Sequence, residues 1–366
     1  MKVKLGELTK IRTGKLDANA ASVNGAYPFF TCSKEPLKIS TYSYDSECVL
    51  VAGNGDLNVK YYNGKFDAYQ RTYIIEDNGC GKLYIPYLYF FLDKYVEELR
   101  KLSIGGVIKY IKLGNLTEAQ IELPNIDIQK RIVTILSKSK SIIESRQHEL
   151  QLLDELIKAR FVEMFGDCKL NPKGWDTVAL GDISNVGSSK RVFVEDLKDI
   201  GIPFYRGTEV GALAEGKEIA PELFIAPEHY NELIAATGKP EIGDLLMPSI
   251  CPDGRIWVVD TEEPFYFKDG RVLWVHSISS AFDPVFLLFT LKDRIMADYS
   301  SIASGTTFAE LKLFALKQCQ IFNVPMEVQK QFVGFIRQVD KSKAVVQKAL
   351  DEAQLLFDSL MQQYFG

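Results

Sequence analysis

The sequence predicts an α+β chain built as a tandem repeat, in which each copy is a mixed α/β domain followed by a long helix. The two helices are expected to pair as an antiparallel coiled coil. The prediction rests on an internal repeat, on short apolar runs separated by turn residues early in each copy, and on heptad apolar spacing at the end of each copy. A length of 366 residues also suits two domains better than one.

The internal repeat consists of matching segments at a nearly constant spacing. VKLGELTKIRTGK, from Val3, aligns without gaps with VALGDISNVGSSK, from Val178, at an offset of 175 residues. From Gly105 onward the offset is 200, so that Gln129 matches Gln329 and the FG at Phe165 matches the final FG. The added 25 residues fall within the globular part of the second copy. The copies are therefore expected to share a scaffold and to differ in their loops.

Heptad spacing marks the end of each copy, just after Pro124 and Pro325. In the second copy both heptad rows are apolar except at Lys343, whereas the first copy has polar residues at three positions of one row. The rows of the second helix are Phe332, Val339, Val346, Ala353, Leu360 and Ile336, Lys343, Leu350, Phe357, Tyr364; those of the first are Leu136, Ile143, Leu150, Ile157, Met164 and Ile132, Ser139, Arg146, Leu153, Arg160.

Composition excludes several classes of protein. The net charge of −5 argues against a protein that holds nucleic acid by bulk electrostatics. Residues 1–166 hold 23 Lys and Arg against 20 Asp and Glu, while residues 167–366 hold 20 Lys and Arg against 28 Asp and Glu. A DNA-reading chain with so little positive charge would depend on partners for phosphate contacts. Six scattered cysteines and three histidines exclude a zinc site of usual spacing. Without an evident signal peptide or membrane span, the chain is expected to be cytoplasmic.

Motifs for catalysis are missing from the sequence. No glycine-rich loop suited to S-adenosylmethionine, no Asn or Asp followed by Pro-Pro and an aromatic residue, and no phosphate-binding GxxxxGK[ST] loop is present. Pro252, Asp253 and Gly254, with Glu262 and Glu263 downstream, are interpreted as a turn rather than a nuclease carboxylate cluster.

An ordered series of segments in the second copy resembles the target-recognition domain and following helix of type I restriction-modification specificity subunits. The resemblance covers nearly the whole chain, and the first copy is the more divergent, with LVAGNGDLNVKYY as a loose match and no counterpart of Trp175. It implies target-recognition domain 1 at 1–126, a coiled-coil spacer helix at 127–166, a linker and target-recognition domain 2 at 167–325, and a second spacer helix at 326–366. The segments are GWDTVALGDI from Gly174, IPFYRGTEV from Ile202, GDLLMPSICPDGRIWVV from Gly243, SGTTFAELKL from Ser304 and IFNVPMEVQKQFV from Ile321.

The resemblance implies a non-catalytic subunit that reads an asymmetric, two-part target in double-stranded DNA. Two modification (methyltransferase) subunits and restriction (nuclease/translocase) subunits are the implied partners, and S-adenosylmethionine, ATP and Mg²⁺ would be bound by them, with no cofactor in this chain. A two-fold-like protein laid on a DNA dyad would place its units about one duplex turn, ~34 Å, apart. The alternative is a coiled-coil interaction scaffold without DNA specificity. The acidic second half of the chain is compatible with this alternative.

Polar and basic loop residues are the candidates for reading DNA, because packing does not explain them and loops allow them to reach a groove. The aromatic residues Tyr61, Tyr62, Tyr69 and Phe265 to Phe267 could stack on a displaced base, but an aromatic strand favours a place in the core. The candidates are Asn54, Asp56, Asn58, Lys60, Gln70, Arg71 and Lys109 in the first copy, and Arg206, Ser249, Asp253, Arg255, Lys268, Arg271, Ser304, Thr306 and Thr307 in the second.

Overall fold

The computed structural model describes residues 2–305 and 309–366 and divides into two compact units. The first unit comprises Met1–Glu149 and Val345–Gly366, and the second comprises Leu150–Ala344. Each copy of the repeat therefore contributes part of its long helix to the other copy's unit. Among the described residues, no helix is long and apolar enough to cross a membrane.

The first copy alternates short strands and helices before its long helix. Its elements are β1 (Lys2–Lys4), α1 (Leu5–Leu8), β2 (Thr9–Thr13), a 3₁₀ turn (Ala18–Ala20), β3 (Tyr27–Phe30), β4 (Leu37–Ile39), β5 (Tyr44–Ala52), β6 (Val59–Ala68), β7 (Thr72–Asp77), α2 (Ile85–Leu102), α3 (Leu113–Thr117), β8 (Gln120–Glu122) and α4 (Ile126–Phe165).

The main sheet of the first unit has the strand order β2-β7-β5-β6-β3-β4. β5 is buried from Cys48 to Ala52 because its apolar run meets a neighbouring strand on each side and the helix α2 on one face. At its far end β6 leaves β5 and pairs in parallel with β3, where Phe29 is opposite Asp67. The turn from β5 to β6 passes through Gly55 at φ 70, and the polar residues after β5 lie at this end of the two central strands.

The second copy repeats this plan with added helices. Its elements are β9 (Thr177–Ala179), α5 (Leu180–Ile183), β10 (Asn185–Gly187), a 3₁₀ turn (Val194–Asp196), β11 (Leu197–Lys198), β12 (Ile202–Tyr205), α6 (Gly207–Ala214), β13 (Phe224–Ile225), α7 (Pro227–Thr237), β14 (Leu245–Pro248), β15 (Trp257–Val258), β16 (Tyr266–Phe267), β17 (Val272–His276), α8 (Pro284–Ile302), β18 (Ala303–Ser304), β19 (Glu310–Leu311), α9 (Leu313–Lys317), β20 (Gln320–Phe322) and α10 (Met326–Phe365).

Two sheets of the second unit have the orders β10-β17-β14-β15 and β11-β13-β12-β16. The parallel pairing of β3 with β6 recurs as the pairing of β12 with β16. The copies differ most between Tyr205 and Leu245, which enclose α6, β13 and α7, while the matching stretch of the first copy runs only from Phe30 to Val49. Most of the length difference predicted from the repeat lies here.

The two long helices pair in antiparallel fashion within each unit, as the heptad rows predict. In the first unit the start of α4, including Leu136, shares an apolar core with Met361 near the end of α10. In the second unit the end of α4 packs on the start of α10, and the rings of Phe165 and Phe332 lie 5.4 Å apart, edge to face. Arg160, one of the polar residues that interrupt a heptad row of α4, pairs with Glu163 at 2.7 Å and remains partly exposed.

The cysteines mostly occupy the core. Cys48, Cys168, Cys251 and Cys319 are buried, and burial raises the pKa of the Cys48 and Cys251 thiols to about 12. Such thiols are small apolar side chains at neutral pH.

Candidate nucleic-acid interface

Arg71 and Arg271 occupy equivalent positions in the two copies, one residue before β7 and β17. The Gly53 N–H donates to the Arg71 carbonyl at 2.8 Å, and the Ser249 N–H donates to the Arg271 carbonyl at 2.9 Å. The Gly53 carbonyl in turn accepts from the Ile111 N–H at 2.9 Å, and the Ser249 carbonyl accepts from the Leu311 N–H at 2.8 Å. The same backbone junction therefore holds one exposed arginine in each copy.

In the first copy this junction gathers residues from separate loops. The Gly55 N–H donates to the Lys109 carbonyl at 2.9 Å, and Asn54 forms an isolated bridge with Tyr110. Among the described residues, neither Arg71 nor Lys109 has an ion-pair partner, whereas Asp56 lies 3.4 Å from Arg100. The residues gathered here are called the first-unit site: Asn54, Asp56, Asn58, Lys60, Arg71 and Lys109.

Asn58 orders the inner part of the first-unit site. Its Nδ2 donates to the carbonyls of Cys32 at 2.8 Å and Asp56 at 2.9 Å, and its Oδ1 accepts from Lys60 Nζ. Desolvation lowers the pKa of the half-buried Lys60. The outward-facing cations of the site are thus Arg71 and Lys109.

Gln70, another predicted residue of the first copy, lies apart from this network. Its Nε2 donates to Asp17 Oδ1 at 2.6 Å, and its backbone N–H donates to the Leu16 carbonyl at 2.9 Å. These bonds tie Gln70 to the segment after β2, so Gln70, although adjacent to Arg71 in the chain, makes no hydrogen bond with the described residues of the first-unit site.

In the second copy, the equivalent junction opens into a surface pocket of about 400 Å³. Five of the predicted residues line it, and they come from loops that are distant in the sequence. These five are called the second-unit site: Arg206, Ser249, Arg255, Lys268 and Arg271, with Gly207, Thr208, Pro248 and Ile250 completing the lining. Ser249 is only 2% exposed and forms the floor.

Carboxylates fix Arg206 of the second-unit site. Glu209 accepts from the Arg206 backbone N–H at 2.8 Å and from its guanidinium Nε at 3.1 Å, while Glu222 lies 3.0 Å from the same guanidinium. Burial of Glu209 opposes ionisation, but the bonds that it accepts from Arg206 and Thr208 lower its pKa to about 2. Glu209 is therefore ionised at neutral pH and holds Arg206 in a defined direction.

Arg255 is oriented in the same way. The predicted residue Asp253 lies 2.8 Å from Arg255 Nε, and Glu215 lies 3.7 Å from its NH1. Arg255 also packs on Gly211, where a Cβ would come within 3.0 Å of its guanidinium. Asp253 therefore belongs to the second-unit site as a residue that positions Arg255.

The two remaining cations of the second-unit site differ in their surroundings. Arg271 pairs with Glu310, while Lys268 has no ion-pair partner in the described parts of the chain. Most of the positive charge of the pocket is thus balanced by acids. A pocket of this kind suits the reading of base edges better than the neutralisation of a row of phosphates.

Of the three predicted residues at and after β18, only Ser304 is described, and it does not line the pocket. Ser304 is exposed on β18, whereas Thr306 and Thr307 lie outside the part of the chain that the structure describes.

The aromatic run of the second copy belongs to the core. Phe265, Tyr266 and Phe267 are all buried, and Tyr205 stacks on Phe265 with the ring centroids 5.0 Å apart. The core interpretation of this aromatic strand is thus confirmed, and these rings are not placed to stack on a base.

The aromatic residues of the first copy are engaged within their own sheet. Tyr61 is partly exposed, and its hydroxyl donates to Glu47 at 2.8 Å. Tyr62 packs edge to face against Phe66 with the ring centroids 5.7 Å apart, and Tyr69 is half-buried. Internal contacts therefore account for Tyr61 and Tyr62.

Sequence reasoning missed the residues that orient the second-unit site. Glu215 and Glu310 are ordinary surface acids in the sequence, and only the folded chain brings them against the arginines, whereas the spacing of Glu209 three residues after Arg206 was an available signal. It also missed the exposed apolar residues Val107 and Ile108 beside Lys109. The Gly-Gly pair that precedes them was the available signal, because such a pair favours a tight turn.

Two named relatives cover different shares of the chain. A specificity subunit of the type I restriction enzyme EcoDI from Escherichia coli is 39% identical over 156 residues, which is 43% of this chain and 34% of that relative. The putative type I restriction enzyme specificity subunit S.HindORF215P from Haemophilus influenzae is 25% identical over 354 residues, 93% of this chain and 86% of the relative. The matched part thus spans about a third of the first relative and most of the second.

Solved structures share the fold. The S subunit of a type I restriction-modification system from M. genitalium superposes with a TM-score of 0.60 at 17% identity, covering 100% of this chain and 96% of that one. A chain from a structure of the assembly and conformational transition of the type I R-M system gives a TM-score of 0.53 at 16% identity, covering 100% and 97%. The family model for the type I restriction modification DNA specificity domain matches residues 1–155 and 172–354. The chain therefore belongs to the type I restriction-modification specificity subunit family.

Proposed function

We propose that this specificity subunit reads an asymmetric, two-part target in double-stranded DNA, with one half-site for each copy of the repeat. The observation that carries the proposal is the equivalence of Arg71 and Arg271, which share one backbone junction but have different surroundings. Arg71 has no ion-pair partner among the described residues, and Arg271 is held by Glu310. A common scaffold with different neighbours is what two different half-sites require.

The proposed partners are two modification subunits and the restriction subunits of a type I complex. S-adenosylmethionine, ATP and Mg²⁺ would be bound by those partners, in the cytoplasm. Exposed apolar side chains off the seam of the long helices support the binding of partner subunits, because Leu152 and Leu156, one helical turn apart, and the adjacent Leu355 and Leu356 place apolar side chains close together on a helix surface. They include Ile142, Leu152, Leu156, Val162, Val345, Leu355 and Leu356.

Gel shifts and methylation mapping test the proposal together. The full chain is mixed with duplex DNA with and without its modification subunit, and the host genome is sequenced for methylated bases. We expect sequence-preferring binding with the modification subunit and a methylated motif of two unlike halves. Absence of sequence preference in both mixtures would favour an interaction scaffold instead.

A further inference from the structure

A short hairpin beside the first-unit site presents apolar side chains to water. Val107 is fully exposed and Ile108 is 64% exposed, and Ile104 at its base is 42% exposed. Apolar side chains grouped at a loop tip are uncommon on a monomer surface unless they contact another molecule.

The hairpin is held in a fixed position despite its exposure. Ile104 and Tyr110 exchange backbone hydrogen bonds of 3.0 and 2.9 Å, and the Lys109 carbonyl accepts from the N–H of Gly55 at 2.9 Å. Gly105 has φ 122, and a Cβ there would come within 2.6 Å of a backbone carbonyl of the tip, so the turn requires glycine. The tip is thus anchored to the loop that carries the polar residues of the first-unit site.

Charge favours DNA as the molecule that covers this tip. Lys109 belongs to the hairpin, Arg71 lies at the adjoining junction, and Lys112 is exposed just after the hairpin in the chain. Residues 1–166 also carry the positive charge excess of the chain. Apolar side chains flanked by cations are the arrangement with which proteins separate base steps while holding the phosphates.

We propose that Val107 and Ile108 insert as a wedge into the base stack of the first half-site. This inference rests on the proposed function. The wedge separates two neighbouring base pairs without breaking a covalent bond, and the cations beside it hold the flanking phosphates. It makes the first half-site sensitive to how easily one base step unstacks, in addition to direct contacts at base edges.

The test uses the full chain assembled with its modification subunits and duplexes that carry the mapped target. 2-Aminopurine replaces each adenine of the first half-site in turn, and pyrrolo-cytosine replaces each cytosine. The variant combines Val107→Ser with Ile108→Ser, and the matched control is Val23→Ser, since Val23 is a 92% exposed valine elsewhere in the first unit. All three side chains are exposed, so unchanged thermal unfolding and unchanged assembly are expected.

When the wild type or Val23→Ser binds, we expect the fluorescence of the base analogue to rise at one base step of the first half-site. The double variant should not produce this rise. Affinity for the target should then fall roughly 10- to 100-fold. A base flipped by the methyltransferase would also fluoresce, but that signal should not depend on the tip. Unchanged fluorescence and affinity in the double variant would overturn the wedge. Absence of any specific binding by the wild type would instead contradict the proposed function.

Discussion

Gln129 and Gln329, 200 residues apart in the sequence, make the same three hydrogen bonds in the two copies. Each is fully buried near the start of its long helix, α4 or α10, and binds the segment that precedes α2 in the first copy or α8 in the second. Each side chain accepts from one backbone N–H and donates to two carbonyls. The partners are Tyr84, Lys82 and Pro124 for Gln129, all at 2.8 Å, and Asp283 at 2.8 Å, Ala281 at 2.9 Å and Val324 at 2.7 Å for Gln329.

Replacing either glutamine should destabilise its own unit. Gln129→Ala or Gln329→Ala leaves buried backbone groups without partners, so we expect the free energy of unfolding to fall by about 2 to 4 kcal/mol. Urea unfolding measures this, with the exposed Gln147→Ala and Gln338→Ala as matched controls. Equal stability of a buried variant and its control would show that the clamp is not structural.

Arg71→Ala and Arg271→Ala should act on opposite ends of the target. A lost bidentate contact to guanine costs about 1 to 3 kcal/mol and relaxes base preference at one position. Binding selections with each variant, and with Arg131→Ala on α4 as a control, measure this. Uniform weakening with a shallower salt slope would mean that the side chain contacts phosphate.

Glu310→Gln should alter the reading of the second half-site by releasing Arg271. Loss of one negative charge should raise affinity for unrelated DNA, while base preference at the second half-site relaxes because the guanidinium is no longer oriented. Competition binding against target and unrelated duplexes measures both effects. Preserved discrimination would show that Arg271 does not depend on Glu310 for its direction.

Acid should remove the contribution of Glu209 to stability. Because its folded-state pKa is lowered to about 2, that contribution is present above the ordinary value of 4.5 and is lost as the pH falls towards 2. Glu209→Gln should therefore be less stable than the wild type near neutral pH, and the difference should shrink near about pH 3. Glu222→Gln, with a side chain that is 73% exposed, is the control and should change stability little. A difference that grows with acidity would contradict this assignment.

Much of the scaffold could be predicted from the sequence, because the constant offset of 200 identifies Gln129 with Gln329 and the heptad rows identify the paired helices. The two candidate sites were harder to predict from the sequence. The sequence suggested Arg206, Arg255 and Arg271 individually, but their convergence on one pocket depends on the tertiary path of separate loops. The acid that holds Arg271 is 39 positions away in the chain. The apolar tip beside the first-unit site was missed because apolar residues in a sequence favour the core.

The second copy alone should form a dimer. In the repeat, Phe161 and Phe165 match Met361 and Phe365, so the end of α10 from another molecule can replace the missing end of α4 in the core of the second unit. Residues 167–366 should therefore sediment as a homodimer, whereas the first copy alone should do so less readily because two arginines interrupt its seam. A strictly monomeric second fragment would contradict the pairing of the helices.

The most direct test of the two-half-site account is the methylated motif of a host carrying the intact chain and its modification subunit. Two unlike half-sites separated by a fixed spacer are predicted, with Arg71→Ala relaxing one half and Arg271→Ala the other. A perfect inverted repeat, or relaxation of the same half by both variants, would contradict it.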